Sequence, residues 1–259
     1  MPSLFLLFHP SCVALAFDTV GITKEIILMS PPARPPITQT EWVVQSDFDG
    51  TISQNDVTDS LLRSFGMPGW RALECAWSQR QIGSRECLSG QVALLDMSAA
   101  DLHAHLDTVV IDAGFAQFVD VAQALSVQVQ VVSDGLDHAI AHVLARHGLG
   151  DLEVIANRLV QVSERRWRVE FPWGSARCER ASGNCKCERL TARQSWRQQV
   201  LYVGDGVSDF CVSGRADFVL AKDRLIAHCV EHGIAHATFR SFAQACHLLR
   251  TTVLERSVV

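Results

Sequence analysis

The sequence predicts an α/β fold, a Rossmann-like three-layer α/β/α core around a mainly parallel sheet, with a helical section inserted after the first strand. Three observations predict it. From Glu41 onward, apolar runs of strand length alternate with helix-length amphipathic segments, the signature of a parallel sheet with crossover helices. Between about residues 57 and 110 that alternation stops and only helical periodicity remains, which reads as a cap built onto the core. Three of the strands end on acids or hydroxyls, and ligands of an open parallel sheet bind at the carboxyl ends of its strands.

The elements follow in order. Residues 1–40 are expected to be an extension outside the domain. "MPSLFLLFHPSCVALAFD" is apolar, but no Lys or Arg precedes the run and His9-Pro10 interrupts it. It is also too short to span a bilayer. The proline-rich "MSPPARPPITQT" that follows is unsuited to a packed fold. A biological start at Met29 is the favoured reading, with a signal segment cleaved after Ala14-Leu15-Ala16 or a true accessory segment as the alternatives. The core then comprises residues 41–56 and 111–259, and the helical insertion residues 57–110. "WVVQS" is the first strand, followed by "VQVQVVS" (Val127–Ser133), "VLYVGD" (Val200–Asp205), "FVLA" (Phe218–Ala221) and "HATF" (His236–Phe239) as an edge strand. The helices between them are "GFAQFVDVAQAL", "LDHAIAHVLARHG", "CERLTARQSW", "DRLIAHCVEHG" and "FAQACHLLRTTVLE". The stretch "RLVQVSERRWRVEFPWGSARCERASGNCK" alternates with period two and then fills with Gly, Ser and Cys, so a hairpin plus loop is expected, its arginines on a solvated face, with an arm reaching substrate or a partner subunit as the alternative.

Composition narrows the function. A chain of 259 residues, 48% hydrophobic, is long enough for a sizeable core. Its net charge of −5 argues against a nucleic-acid surface or a polybasic membrane patch. Nine cysteines at scattered spacings, an odd count, read as reduced thiols of a cytoplasmic protein rather than as a disulfide framework. Cys178, Cys185 and Cys187 match no standard structural zinc spacing and are expected to be free thiols, with a metal site or a disulfide as the alternatives. His138 and His142 stand four residues apart, a spacing that can bind zinc, but without the intervening Glu of a zinc-protease helix; a partly exposed helix face is the plainer reading. Trp70 and Trp77 of the insertion are expected in the core.

The strand ends carry the chemistry. Asp47 and Asp49 close the first strand, Ser133 and Asp134 the second, Asp205 and Asp209 the next. Carboxylates brought together there repel, and a hard dication shared by Asp47 and Asp205 would neutralise them. The four segments "DFDGT" at Asp47, "VVSDG" at Ser133, a lone Lys186 before a helix in "GNCKCERL", and "GDGVSD" from Gly204 to Asp209 together resemble the haloacid dehalogenase superfamily of phosphotransferases. The likeness spans Trp42 to the C-terminus, and the helical insertion is similar to that family's C1 cap. Within it, "DFDGTISQND", "DAGF", "SDGLD", the "CK" lysine and "AKDRLIAHC" resemble the phosphoserine-phosphatase-like branch. They are closest to the methionine-salvage group acting on a methylthio-keto-pentenyl phosphate. Cys187 stands where that group has proline, and Asp134 where its "SGG" form has glycine.

The resemblance implies an Mg²⁺-dependent phosphomonoesterase acting through an aspartyl-phosphate. Asp47 would be the nucleophile and Asp49 the general acid and base. Mg²⁺ would be held by the Asp47 carboxylate, the Asp49 carbonyl and Asp205. Ser133, Asp134, Gly135 and Lys186 would bind phosphate, with Thr51 and Asp209 in support, Asp209 orienting the lysine or a metal-bound water. Asp56 stands where phosphoserine phosphatases place an acid that grips the substrate's amine, and an N-cap for the next helix is an equal reading. Arg85 is the candidate cap cation facing the substrate. The partner implied is a small phosphorylated metabolite. Phosphoserine phosphatase and a catalytically idle binding module on the same fold are the rival functions, and a monomer and a homodimer both remain open.

Overall fold

The computed structural model describes residues 41–178 and 180–256. The expected extension, residues 1–40, lies outside them. Seven strands form one sheet, ordered β4-β3-β2-β1-β5-β6-β7. They are β1 (Trp42–Ser46), β2 (Gln128–Leu136), β3 (Glu153–Gln161), β4 (Trp167–Glu170), β5 (Gln199–Gly204), β6 (Phe218–Ala221) and β7 (His236–Thr238). Every pairing is parallel except β3 with β4, the expected hairpin.

β1 lies at the centre because it can be buried on both faces. Trp42 and Val44 point into one apolar layer, Val43 into the other. β5 divides the same way, Leu201 and Val203 against Val200 and Tyr202. The first layer is closed by α5 (Phe115–Ala124), α6 (Asp137–Arg146) and α10 (Phe242–Arg256), the second by α7 (Lys186–Ser195), α8 (Phe210–Ser213) and α9 (Asp223–Glu231). These are the three layers predicted.

The insertion comprises α1 (Val57–Phe65), α2 (Trp70–Ser78), α3 (Ser84–Ala93) and α4 (Ala99–Leu106). Ser98 and Asp101 cap α4 reciprocally, each side chain accepting from the other's amide. The chain enters and leaves the insertion side by side, with Gln54 N–H donating to Val110 O at 3.0 Å and Asp112 N–H to Ile52 O at 2.8 Å. The hairpin grips it from the other side. The buried Trp167 indole donates to Met97 O at 2.9 Å, and Arg165 bonds Asp96 and Asp101 at 2.6 and 3.0 Å. Arg165, Arg166 and Arg168 are exposed, as expected of a solvated hairpin face, and Arg165 in addition ties insertion to hairpin.

Two boundaries also differ from expectation. β2 continues past Ser133 to Leu136, with a register shift against β3 that lets the chain bend at the site. β3 starts at Glu153, five residues before the predicted hairpin, and its first half pairs in parallel with β2. Trp70 is buried as expected, whereas Trp77 is only half-buried.

Candidate active site

The site forms where β1, β2 and β5 end. Asp47 follows β1, and its amide donates to Val203 O of β5 at 2.9 Å, which holds the two strand ends together. The chain then turns tightly, with the amides of Thr51, Ile52 and Ser53 all directed to Phe48 O. Gly50 makes this possible: its φ is +74°, and a β-carbon there would lie 2.7 Å from an Asp205 carboxylate oxygen. Lys222, between β6 and α9, fixes the same turn, its ammonium donating to Gly50 O at 3.0 Å.

Lys186, the first residue of α7, reaches across to the strand ends. Its Nζ lies 2.7 Å from Asp47 Oδ2 and 2.7 Å from Asp209 Oδ1, with the lysine side chain 3% exposed and the two carboxylates 6% and 0%. Tyr202, the chain's single tyrosine, donates to the same Asp209 oxygen at 2.6 Å. The other Asp209 oxygen accepts from the amides of Asp205 and Gly206 at 3.0 and 3.1 Å. Asp209 thus anchors both the lysine and the loop that carries Asp205. Thr51 donates to Asp205 Oδ1 at 2.7 Å.

Carboxylate oxygens of Asp47, Asp205 and Asp209 lie within 4.8 Å of one another. Four acids, with Asp49, share this space with the Lys186 ammonium. Burial raises the Asp47 pKa to about 8 and that of Asp205 to about 6, each helped by the neighbouring acids and opposed by Lys186. Asp49 is also raised, by burial and then by Asp56. Asp209 goes the other way: against its burial, the lysine, the tyrosine hydroxyl and the Gly206 amide hold it ionised. Lys186, against its own burial, is held charged by Asp209 and Asp47. Hard oxygen donors short of positive charge fit a small dication, with Asp47 and Asp205 as the available ligands and Asp209 already committed to the lysine.

Asp49 hangs over this floor. Its Oδ1 accepts from Val57 N–H at 2.8 Å, so the first turn of α1 orients it, and its Oδ2 lies within 2.6 Å of where a β-carbon on Gly135 would be. Ser133 stands beside it, its hydroxyl accepting from Gly135 N–H at 3.0 Å. The Asp134 carboxylate is occupied by Asn157, by the Asn184 amide and by the Ser84 hydroxyl of α3, at 3.0, 2.8 and 2.6 Å. Its backbone carbonyl is taken as well, accepting from Asn157 Nδ2 at 2.6 Å.

The two cap candidates have structural partners of their own, and the charge of Asp56 also bears on Asp49. Asp56 is the N-cap of α1, accepting from Asp59 N–H at 2.8 Å. Arg85 packs its guanidinium 5.4 Å above Phe171 and against Gly174. There it lines a cavity of about 630 Å³ with Leu73, Glu86 and Ser89. Cys178 is half-buried, Cys185 and Cys187 are buried, and none of the three is disulfide-bonded among the described residues.

Sequence reasoning missed Ser84, Asn157, Asn184, Tyr202 and Lys222. Asn184 does most to shape the site among these. Its side-chain amide donates to Ser133 O and Ile155 O at 2.9 and 2.7 Å, tying the Ser133 bend to β3 two residues before Lys186. Its place in "GNCK", beside the motif lysine, was the available signal.

Residues 44–213 match the haloacid dehalogenase-like hydrolase family. The chain is similar to a 2-hydroxy-3-keto-5-methylthiopentenyl-1-phosphate phosphatase of Geobacillus thermodenitrificans, 29% identical over 83% of this chain and 98% of that protein. The phosphatase of the same name from an Exiguobacterium species is 30% identical over 76% and 91%. Among solved structures, a substrate-bound phosphoserine phosphatase superposes with a TM-score of 0.62 at 19% identity, covering 80% of this chain and 97% of that one. A haloacid dehalogenase family hydrolase of Salmonella enterica serovar Typhi superposes with a TM-score of 0.64 at 17% identity, covering 86% and 74%.

Proposed function

The chain belongs to the haloacid dehalogenase-like hydrolases, and from that premise we propose that it is an Mg²⁺-dependent phosphomonoesterase of a small keto-sugar phosphate of the methionine-salvage type. The observation that carries this reading is Lys186 bridging Asp47 and Asp209 at 2.7 Å beside the Asp205 carboxylate. A phosphate monoester resists attack by an anion, so the site must supply positioning and positive charge. Lys186 brings one charge, and Mg²⁺ held by Asp47, Asp205 and the Asp49 carbonyl would supply the Lewis acidity that makes the phosphorus electrophilic.

The chain's own residues then divide the work. Asp47 attacks phosphorus, forming an aspartyl-phosphate as the P–O bond to the leaving alcohol breaks. Asp49, whose pKa is raised, donates a proton to that alkoxide and in the second step takes one from the attacking water. Ser133, its hydroxyl oxygen held by the Gly135 amide, donates its own proton to a phosphoryl oxygen, and Lys186 offsets the phosphoryl charge. Residues 57–110 act as the C1 cap, closing over a small substrate and excluding bulk water.

Two observations favour the keto-sugar phosphate over phosphoserine. Asp56, the acid that would grip an amine, has an Asp59 amide on its carboxylate as the cap of α1. The cavity beside the cap offers Leu73 and Phe171 with the Arg85 guanidinium, walls suited to an apolar tail and a carbonyl oxygen. It begins one residue from Ser84, which bonds Asp134 of the phosphate loop. Phosphate release from 2-hydroxy-3-keto-5-methylthiopentenyl-1-phosphate, phosphoserine and p-nitrophenyl phosphate, with Mg²⁺ and with EDTA, tests the reading. A keto-sugar phosphate is expected to give the highest kcat/KM, and EDTA to abolish all three activities. Preference for phosphoserine would reverse the substrate assignment, and no Mg²⁺-dependent hydrolysis of any ester would leave the idle binding module.

A further inference from the structure

Asp134 stands between Ser133 and Gly135, and its carboxylate gathers donors from three segments distant in sequence. Ser84, the first residue of α3 in the insertion, donates its hydroxyl to Oδ2 at 2.6 Å. The Asn184 amide, two residues before Lys186, donates to Oδ1 at 2.8 Å, and Asn157 Nδ2 of β3 reaches the same oxygen at 3.0 Å. Asn184 and Asn157 are 1% and 0% exposed, so these donors have no bulk water to turn to. Through its side chain Asn184 also returns to the bend, donating to Ser133 O at 2.9 Å. The insertion leans on the same loop a second time, with the Arg85 amide donating to Ala181 O at 3.2 Å. A β-carbon on Gly83 would lie 2.7 Å from that of Ala181, so α3 starts in close contact with this loop.

We propose that Asp134 is a positioning residue: its carboxylate sets the insertion, the Ser133 bend and the loop carrying Lys186 in one register. The inference deepens the phosphatase reading and rests on it for what Ser133 and Lys186 do. Those two residues come to the phosphoryl group from separate segments, one within β2 and one opening α7. A misplacement of about 1 Å between such groups can cost a hundredfold in rate. Asp134 spans the gap, because Oδ1 holds the Asn184 amide while its backbone continues directly from Ser133. One carboxylate oxygen serves the core and the other the insertion. Both belong to one planar group, so a shift of α3 that moves Oδ2 also turns Oδ1. Seating of the insertion and readiness of the site are thereby coupled.

Asp134→Ala removes the acceptor, whereas Asp134→Asn keeps the geometry. An amide oxygen serves Asn184 and Asn157, and the amide nitrogen donates to the Ser84 hydroxyl. With p-nitrophenyl phosphate and Mg²⁺, kcat of Asp134→Ala is expected to fall at least about tenfold, the worth of one hydrogen bond to a charged group. Asp134→Asn should recover most of that loss. A folded Asp134→Ala with the wild-type kcat overturns the proposal. So does an Asp134→Asn as slow as Asp134→Ala, because the charge itself would then act in the chemistry. The second measurement needs no turnover. Ser84→Ala cuts the network only at the insertion, and hydrogen exchange of the Asn184 amide should quicken at least about twofold, the low end of coupling within one hydrogen-bond network. Unchanged exchange overturns the coupling, and this result decides alone where Asp134→Ala does not fold. A wild type without Mg²⁺-dependent hydrolysis would remove the phosphatase reading, and exchange at Asn184 would still decide for or against the link.

Discussion

Replacing Asp47 with Asn keeps the side chain's size but removes the carboxylate that would attack phosphorus. Turnover of Asp47→Asn is expected below about 1% of wild type with the circular dichroism spectrum unchanged, since losing such a group usually costs several powers of ten. Residual activity well above that level would move the nucleophile elsewhere. Tyr202 offers a second single-residue test because the chain has no other tyrosine. Burial, and then the negative charges of Asp209 and Asp47, push its phenol well above the ordinary value. The folded form therefore keeps this proton at pH values where the unfolded chain, with a phenol pKa of about 10, has lost it. The unfolded state then binds fewer protons, so this contribution to stability is full below about pH 10 and is lost as pH rises further. Tyrosinate absorbance at alkaline pH should appear together with loss of helical dichroism. An ionised phenol in a still-folded protein would contradict the burial of its hydroxyl against Asp209.

At the scale of elements, the Ser84–Asp134 hydrogen bond joins α3 to the bend that carries Ser133. Ser84→Ala should raise KM for the preferred substrate by about tenfold, the worth of one hydrogen bond to a charged group, and lower Tm by only a few degrees. An equal effect on kcat alone would mean that the bond acts in chemistry rather than in placing the cap. Two strands were the most legible parts of the sequence. β1 opens on an apolar run and stops at Asp47, β6 is apolar throughout, and both were read to the residue. So were the acids at the ends of β1 and β5, because strand ends are where such side chains converge. The first half of β3 was not legible. Its apolar stretch is only Val154-Ile155-Ala156, followed by the buried Asn157 that holds Asp134. Asn157, Asn184 and Ser84 shape the bend through single hydrogen bonds between segments distant in sequence. Such contacts leave no periodic pattern, so only the folded chain reveals them.

For the molecule as a whole, the acid cluster links metal binding to stability. Asp205, raised to about 6, and Asp47, raised to about 8, hold protons in the metal-free fold that the unfolded chain has released above about pH 4. Without metal, this contribution to stability is therefore present at low pH and is lost as pH rises through those values. A dication needs the deprotonated carboxylates, so the rise in Tm on adding Mg²⁺ should grow from about pH 5 to about pH 8 and level off above. A Tm gain independent of pH across that window would place the ion away from Asp47 and Asp205. The position of β1 has a consequence of a different kind, for the order of assembly. Val43 pairs with Gln128 on one side and with Val200 on the other. During synthesis, the segment emerging first after the N-terminal stretch waits through the whole insertion for one neighbour, and through much of the remaining chain for the second. Until β5 leaves the ribosome, one edge of β1 is unpaired and its apolar side chains lack half their cover. Closing so long a loop is slow, so the strand that carries Asp47 completes its hydrogen bonding late, and the acidic floor forms only once β5 and the residues after it are present.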